Sequence, residues 1–418
     1  MTPEPAFARS TLLMMRGSAG AALLPLAAAP ILARLYDPAD FGHLAVFLAV
    51  TTVLGVVAGM RYAWAVLQPE SEQAARDVFV LSAFLSAVVG VVVLLATLVL
   101  WAPAARLVGD EVGWLPLVAP SVALTGLYTS AYFWMNRLDD FRGLGRARIS
   151  AAGGPVVVQV VLGLARLGVP GLVVGQVVGQ ALSLAAFGRA VWRGDLWRGT
   201  TWDAMWTQGK RYRDFALYSL PSALVNAVTN QAPVVLLAGY FGAVVVGLFN
   251  LATRVLSAPV QVLATAVLDV FKTKATREFR ERGECRTAFR RTFGLLAGLA
   301  LLPFAAIGLV APWAFEFAFG EPWREAGEYA RLLLPFFFLR FVVSPLSFVF
   351  VVAERQRVDL AWQVGLFVVT ILGLVVGGVL ADPALAIGIF SAVYAAMYVL
   401  YLWLAYGVAG GRRAAGGA

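Results

Sequence analysis

LARLYDPADFGHLAVFLAV, the stretch from Leu32 to Val50, joins the end of one long apolar segment to the start of the next. Only a short polar break separates the two apolar runs. The stretch therefore predicts a hairpin of two helices whose turn lies on the outer side of a membrane, and the rest of the chain is organised around it.

A weaker copy of this hairpin recurs 205 positions later, in LLAGYFGAVVVGLFNLATRV, without a gap. The matched pairs are Ala33 with Ala238, Pro38 with Ala243 and Gly42 with Gly247. A second match, at an offset of 215, relates the fourth apolar segment to the tenth, and its pairs are Pro120 with Pro335, Asp139 with Glu354 and Arg142 with Arg357. We expect two similar halves, which cross the membrane in the same direction and are related by an axis along its normal.

The composition is that of an integral membrane protein. Of the 418 residues, 60% are hydrophobic and only 14% are charged, and the mean hydropathy is +0.79. No water-soluble core with a polar surface needs so much apolar sequence. A β-barrel would show alternating residues in segments of about ten, a pattern that is missing here. The sequence thus predicts an all-α membrane protein.

The apolar runs, at about 20 residues for each membrane helix, yield twelve segments. They form two parallel six-helix lobes, residues 1–200 and 201–418, around a central cavity. The predicted spans are 10–33, 40–62, 77–101, 112–136, 146–165, 169–190, 214–238, 243–268, 290–311, 328–352, 358–380 and 383–406.

Lys and Arg concentrate in the connections of one side, which predicts that both termini are cytoplasmic. The same asymmetry accounts for the net charge of +9. Anionic lipid headgroups are the expected neighbours of this charge, and we expect no nucleic-acid partner.

Two connections carry further signals. WRGDLWRGTTWDAMWTQGKRYRD, residues 192–214, places four Trp among basic residues and predicts an interfacial linker between the lobes; a base-stacking platform is the alternative. In residues 271–291, Phe271, Ala275 and Phe279 recur every fourth position. That spacing is compatible with an amphipathic helix lying on the inner leaflet, but we favour ordinary positive-inside charge as the explanation of this segment.

Three arginines lie well inside predicted spans, away from the span ends: Arg16, Arg254 and Arg340. A charge costs at least about 2.5–3.5 kcal/mol there on insertion scales, which marks each as a candidate site residue. The central third of each span lacks a carboxylate to pair with them. A guanidinium suits phosphate oxygens, so we expect an anionic ligand, although bonds to backbone carbonyls and snorkelling are alternatives.

Three amides are further candidates: Asn226 and Asn230 lie four residues apart and share one helical face of segment seven, and Asn250 lies one turn before Arg254 in segment eight. They are candidates for binding sugar hydroxyls, and hydrogen bonds between helices are the alternative. Gln159, Gln176 and Gln180 are expected to pack between helices. With one histidine, His43, and one cysteine, Cys285, we predict no metal site, no cofactor and no enzyme activity.

LARLYDPADFG and the second-half segment YFGAVVVGLFNLATRVLSAPVQVLATAV resemble the polysaccharide biosynthesis or O-antigen flippase family of the multidrug, oligosaccharidyl-lipid and polysaccharide exporter superfamily. The resemblance implies that segments one, two, seven and eight line the cavity. The related lipid II flippases carry cavity arginines on segments one and eight, which here hold Arg16 and Arg254. This sequence departs from the family where a Pro-containing turn often follows segment eight.

The resemblance implies a transporter that flips a polyprenyl-diphosphate-linked oligosaccharide by alternating access. The expected location is the cytoplasmic membrane of a prokaryote. We expect a monomer that contacts membrane lipids and works beside polysaccharide-assembly enzymes. The alternatives are a multidrug or cation antiporter of the same superfamily and a membrane glycan polymerase or ligase.

Overall fold

A computed structural model of the chain describes residues 20–21, 23–102, 112–187, 191, 196 and 199–411. Within these ranges the regular structure is helical and contains no strand. Nine of the described helical stretches are long and apolar enough to cross a membrane. The chain is therefore a multi-pass membrane protein, as the composition predicts.

The described residues divide into two compact units, one ending at Gly247 and the other beginning at Leu248. The helices of the first unit are α1 (Leu23–Leu35), α2 (Pro38–Ala58), α3 (Tyr62–Ala65), α4 (Glu72–Val99), α5 (Val118–Arg137), α6 (Phe141–Leu164), α7 (Gly168–Ala185), α8 (Trp202–Arg211) and the first part of α9 (Leu220–Arg282). The second unit contains the rest of α9 with α10 (Arg286–Phe319), α11 (Arg324–Val343), α12 (Val349–Val352), α13 (Gln356–Val379) and α14 (Pro383–Ala409).

Capping residues set several helix starts. Asp37 and Asp40 form a capping box at α2, and Pro38 occupies the first turn. These contacts satisfy backbone N–H groups that a helix start leaves without partners. Helix α14 begins in the same way, because the Asp382 carboxylate accepts hydrogen bonds from two backbone amides of the first turn.

Helix α9 breaks at Gly242, whose φ of 79° lies in the left-handed region that only glycine adopts freely. The predicted seventh and eighth segments meet at this break. Gly242 lies 205 positions after Asp37, where α1 and α2 are separated. The offset found in the sequence thus aligns the two turns as well as the glycines that follow them.

Left-handed turns repeat at the second offset. Asp139 (φ 54°) and Glu354 (φ 55°) are 215 positions apart, and each ends a helical stretch. Arg166 (φ 58°) and Ala381 (φ 57°) follow the same spacing. The predicted internal repeat is therefore present in the backbone, including a pair that the sequence comparison missed.

Close packing inside the first unit depends on small residues. A Cβ on Gly179 would overlap the backbone of Pro155, and a Cβ on Gly175 would stand 3.0 Å from the Gln159 backbone nitrogen. Helices α6 and α7 therefore cross at nearly backbone contact. Gly175 and Gly179 thus form the small-residue face of this crossing. The Gln159 side chain donates to the Leu172 carbonyl at 3.0 Å, as expected of a packing residue.

In the second unit, the structure contradicts the inner-leaflet alternative for residues 271–291. Phe271 and Ala275 belong to the last turns of α9 and are buried. Phe271 packs edge-to-face on Phe289 of α10, with ring centroids 6.5 Å apart. Protein covers this apolar face, because the chain turns at Gly283 and brings α10 back against α9. The face is therefore not available to the inner leaflet.

Candidate functional site

A cavity of about 450 Å³ opens inside the first unit, between helices α2, α3, α5 and α7. Much of its lining is polar but uncharged. The polar lining residues are Thr51, Thr52, Arg61, Thr125, Thr129, Gln176 and Gln180. Among the described lining residues, Arg61 is the one charged group.

Regular spacing brings the hydroxyls into the cavity. Thr51, Gly55 and Gly59 recur every fourth residue on α2, and Thr125 and Thr129 do so on α5, so each set occupies one helical face. Gly55 and Gly59 let neighbouring side chains approach closely, since a Cβ would stand 3.1 Å from Thr125 Cγ2 at position 55 and 2.6 Å from Ser82 Oγ at position 59. The cavity therefore extends along about 12 Å of α2, at 1.5 Å per residue.

The threonine hydroxyls keep acceptor capacity for a ligand. Thr125 and Thr129 each donate to a carbonyl one turn earlier on α5, both at 2.8 Å, and Thr51 donates to Leu48 at 3.2 Å. A hydroxyl that donates its hydrogen to a carbonyl of its own helix can still accept hydrogen bonds through the lone pairs of its oxygen. Gln176, by contrast, makes no hydrogen bond with its side-chain amide within the described residues. The lining thus offers acceptors and the amide donors of Gln176 and Gln180.

Arg61 lies at the mouth of the cavity, where α2 ends and the short helix α3 begins. Its φ of 65° is left-handed, which turns the chain sharply after Gly59. The guanidinium carbon lies 4.4 Å from the centroid of the Trp64 ring, and Nε donates to Ser219 Oγ at 3.4 Å. A cation–π contact of this kind orients the guanidinium and leaves its remaining N–H groups for an anion.

The predicted site residue Arg254 lies in the second unit, on α9, and is half-buried. Its guanidinium makes no hydrogen bond or ion pair within the described part of the chain. Asn250 lies one turn earlier, and its backbone carbonyl accepts a hydrogen bond from Thr253 at 2.9 Å. A partly buried guanidinium without a carboxylate can bind an anionic ligand.

Arg340, also in the second unit, is exposed on α11. Its guanidinium carbon lies 5.7 Å from the centroid of the Phe336 ring. Phe336 belongs to an aromatic cluster in which its ring centroid is 4.5 Å from that of Tyr394. Arg340 is therefore held against aromatic faces and forms no ion pair within the described ranges.

Asn226 and Asn230 are exposed on the first part of α9. The structure brings these two amides together, because Asn230 Nδ2 donates to the Asn226 carbonyl at 2.8 Å and to its Oδ1 at 3.1 Å. One face of the pair remains open to a ligand. Arg16, the remaining predicted site residue, lies outside the described residues.

Sequence reasoning missed the cavity in the first unit. Arg61 falls at the very end of the predicted span 40–62, where a basic residue is ordinary, so it was not chosen as a site residue. The four-residue spacing of threonines and glycines on α2 and α5 could have revealed the lining. Gln180, predicted to pack, does accept a hydrogen bond from Ser121 at 2.8 Å while it also lines the cavity.

His43 is buried in α2, and Cys285 is a buried free thiol between α9 and α10. The described residues contain no group of three or more metal-ligating side chains.

The fold resembles that of solved membrane transporters. A lipid II flippase, MurJ, in an inward closed conformation superposes with a TM-score of 0.69 at 12% identity, covering 97% of this chain and 90% of that one. An inward-facing multidrug resistance MATE family transporter of the MOP superfamily superposes with a TM-score of 0.70 at 15% identity, covering 94% of this chain and 93% of that one. A MOP superfamily transporter from Pyrococcus furiosus superposes with a TM-score of 0.61 at 16% identity, covering 96% of this chain and 94% of that one. At these identities the likeness shows the fold alone.

No curated protein sequence matches the chain. Residues 31–328 match the family described as polysaccharide biosynthesis protein. That range includes the hairpin at Leu32–Val50, its copy, and the cavity of the first unit. The chain therefore belongs to the polysaccharide biosynthesis protein family.

Proposed function

We propose that this protein is a membrane transporter that moves a polyprenyl-diphosphate-linked oligosaccharide from one leaflet to the other by alternating access. The observation that carries the proposal is the cavity of the first unit. It combines one guanidinium with several hydroxyl and amide groups, and its described lining contains no carboxylate. Such a lining suits a ligand that is anionic at one end and rich in hydroxyls elsewhere.

The order of these groups along α2 fits a lipid-linked sugar. Arg61 lies at the end of the helix, and Thr51 and Thr52 lie more than two turns deeper. A lipid diphosphate has its phosphates at headgroup depth. We assign the phosphates to Arg61 and the sugar hydroxyls to the threonines with Gln176, whose amide has no other partner among the described residues.

Further candidates for binding the substrate lie outside this cavity. Arg254 and Arg340 both lack a carboxylate partner within the described residues. We propose that Arg254 and Arg16 also bind phosphate during transport, and that Arg340 assists. Asn226, Asn230 and Asn250 are proposed sugar contacts. Each assignment rests on side-chain chemistry and membrane depth.

The wider arrangement remains part of the proposal. Twelve spans and two lobes are supported by the break at Gly242, which divides one long apolar stretch into two, and by the turns repeated at 205 and 215 positions. Cytoplasmic termini are supported by the concentration of Lys and Arg in the connections of one side. We also propose that the protein acts as a monomer in a prokaryotic cytoplasmic membrane, beside the enzymes that assemble the polysaccharide.

A multidrug or cation antiporter is the second candidate, because a MATE family transporter shares the fold. The charge of the cavity argues against it. A cationic drug would meet Arg61 without a carboxylate among the described lining residues. A glycan polymerase or ligase would need a catalytic set, and no structural observation favours that activity.

A binding experiment tests this assignment. The purified full-length protein is titrated with a short-chain polyprenyl-diphosphate oligosaccharide and, separately, with a cationic dye. We expect Arg61→Ala to weaken glycolipid binding at least tenfold and Arg61→Lys to weaken it less, because Lys keeps the charge but loses the fork of donors. Arg277→Ala, which removes an exposed ion pair with Glu281, is the matched control.

Two results would contradict the assignment. One is equal glycolipid affinity for Arg61→Ala and the parent protein. The other is tight binding of the dye without measurable binding of the glycolipid, which would favour the antiporter.

A further inference from the structure

Helix α8 (Trp202–Arg211) is an amphipathic helix fixed to the first unit along one side. Met205 and Gly209 are buried where α8 packs on α4. The Tyr62 hydroxyl donates to the Gly209 carbonyl at 3.0 Å. A Cβ on Gly209 would stand 3.3 Å from the Leu81 side chain, so the two helices are in close contact. The exposed side chains of α8 are therefore held in a defined position relative to α4.

The exposed part of α8 and the residues just after it carry aromatic and basic side chains. Trp202 and Trp206, four residues apart, are each 65% exposed. Lys210 follows after another four residues, and its Nζ lies 5.5 Å from the centroid of the Trp206 ring. Arg211 and Arg213 are also exposed. We call the five residues Trp202, Trp206, Lys210, Arg211 and Arg213 the α8 basic face.

The position of α8 relative to the membrane follows from its contact with α4. Trp202 packs edge-to-face on Phe84, with ring centroids 4.9 Å apart. From Phe84 onward, one flank of α4 is apolar and exposed. Its members are Val88, Val91, Val92, Leu95, Leu98 and Val99.

Because α4 is a membrane span, this exposed flank faces lipid tails. From Phe84 to Val99 the flank is about 23 Å long, and the hydrocarbon core of a bilayer is about 30 Å thick, so the flank spans most of the core. Trp202 therefore lies near the boundary of the core, at the depth that Trp prefers. Lys210 and the two arginines then lie at the level of the lipid headgroups.

We infer that the α8 basic face binds the phosphate headgroups of anionic phospholipids. Trp202 and Trp206 enter the boundary between tails and headgroups, and Lys210, Arg211 and Arg213 contact the phosphates. Each basic residue near an anionic surface contributes electrostatic attraction, and a guanidinium adds two parallel hydrogen bonds to a phosphate. The acidic residues on this segment are Asp203, in the first turn of α8, and Asp214, beyond its end.

The experiment measures lipid binding by the purified full-length protein and does not depend on transport. Phosphatidylglycerol and phosphatidylcholine are titrated in neutral detergent, and bound lipids are counted by native mass spectrometry. The test variant is Lys210→Gln/Arg211→Gln/Arg213→Gln. The matched control is Lys274→Gln/Arg277→Gln/Arg280→Gln, which removes three exposed positive charges from the end of α9.

We expect the parent protein to prefer phosphatidylglycerol, and the α8 variant to bind it at least tenfold more weakly. The α9 control should keep most of the affinity, and phosphatidylcholine binding should change little in either variant. A second variant, Trp202→Ala/Trp206→Ala, should weaken binding of both lipids, since it removes the apolar contribution. Protection of the buried Cys285 from a thiol reagent verifies that each variant is folded.

The inference fails if the α8 variant binds phosphatidylglycerol as the parent does, or if the α9 control loses as much affinity. It also fails if a short single-stranded oligonucleotide displaces phosphatidylglycerol at a lower concentration than added phosphatidylglycerol does. That outcome would identify α8 as a base-stacking surface instead.

Discussion

Gly42 and Gly247 lie in one helix crossing within the first unit, although 205 positions separate them in the sequence. A Cβ on Gly247 would overlap the Pro38 carbonyl oxygen and stand 3.0 Å from the Gly42 nitrogen. A Cβ on Gly42 would overlap the Ala243 carbonyl. The contacts are reciprocal under the repeat, since Pro38 matches Ala243 and Gly42 matches Gly247. Each copy of the hairpin thus packs its glycine on the other's first turn.

Substituting either glycine should therefore destabilise the protein. We expect Gly247→Ala to lower the free energy of unfolding by about 1–3 kcal/mol, because backbone must move to accept the methyl group. Gly298→Ala, at a helical glycine with open space around it, is the control and should be neutral or slightly stabilising. Thermal unfolding in detergent measures both. Equal melting temperatures for the two variants would contradict the crossing.

The repeated left-handed turns yield a second prediction. Ala381 adopts a φ of 57°, which costs a residue with a Cβ roughly 1–2 kcal/mol. Ala381→Gly should raise the free energy of unfolding by about 0.5–1 kcal/mol, the gain being reduced by the greater chain entropy of glycine. Ala396→Gly, inside α14, should lower it by about 1 kcal/mol. Thermal unfolding of the two variants shows whether each one gains or loses stability. A loss of stability in Ala381→Gly would contradict the left-handed conformation of Ala381.

The threonine lining should affect sugar binding rather than phosphate binding. Thr51→Val/Thr125→Val removes two cavity hydroxyls at similar size. We expect weaker binding of a lipid-linked oligosaccharide by about three- to tenfold, and unchanged binding of the polyprenyl diphosphate without sugar. Thr97→Val is the control, because Thr97 donates within α4 at 2.8 Å and does not line the cavity. An equal loss of affinity for both ligands would show that these hydroxyls do not bind the sugar.

Cys285 should resist alkylation in the folded protein. Burial, with Glu278 and Glu284 nearby, raises the pKa of the Cys285 thiol to about 12. At pH 8 the thiolate, which is the reactive form, is on the order of one molecule in ten thousand. Raising the pH from 7 to 9 should therefore leave the folded protein almost unlabelled by iodoacetamide, whereas the denatured protein should be labelled quickly.

The raised pKa of Cys285 also determines how the stability of the folded state depends on pH. The folded state favours the protonated thiol, so this contribution is complete below the thiol's ordinary pKa of 9.0 and is lost as the pH rises towards about 12. Rapid labelling of the folded protein at pH 8 would show that Cys285 is exposed and ionised.

Much of the fold could be predicted from the sequence, because the membrane leaves few alternatives to apolar helices of sufficient length. The hairpin at Leu32–Val50 and its copy near Gly247 were identified from matched residues, and the structure joins them in one crossing. The sequence left two interpretations open for the face containing Phe271, since spacing alone cannot distinguish a face covered by α10 from one covered by lipid.

The site was harder to predict. Arg254 and Arg340 attract attention because an intramembrane charge is costly, whereas Arg61 lies at a helix end, where basic residues are common. Its relevance depends on the left-handed turn and on the hydroxyls that α5 brings close, and both are tertiary features. Asn226 and Asn230 were predicted to share a face, and a hydrogen bond joins them.

Translocation itself tests the central claim most directly. The protein is reconstituted into liposomes carrying a fluorescent polyprenyl-diphosphate oligosaccharide, and transfer between leaflets is followed by quenching from outside. We predict transfer well above that of protein-free liposomes, a loss of at least tenfold for Arg254→Ala and an intermediate rate for Arg254→Lys. Arg277→Ala should match the parent. Transfer no faster than in protein-free liposomes, with folded protein present, would contradict the proposed function.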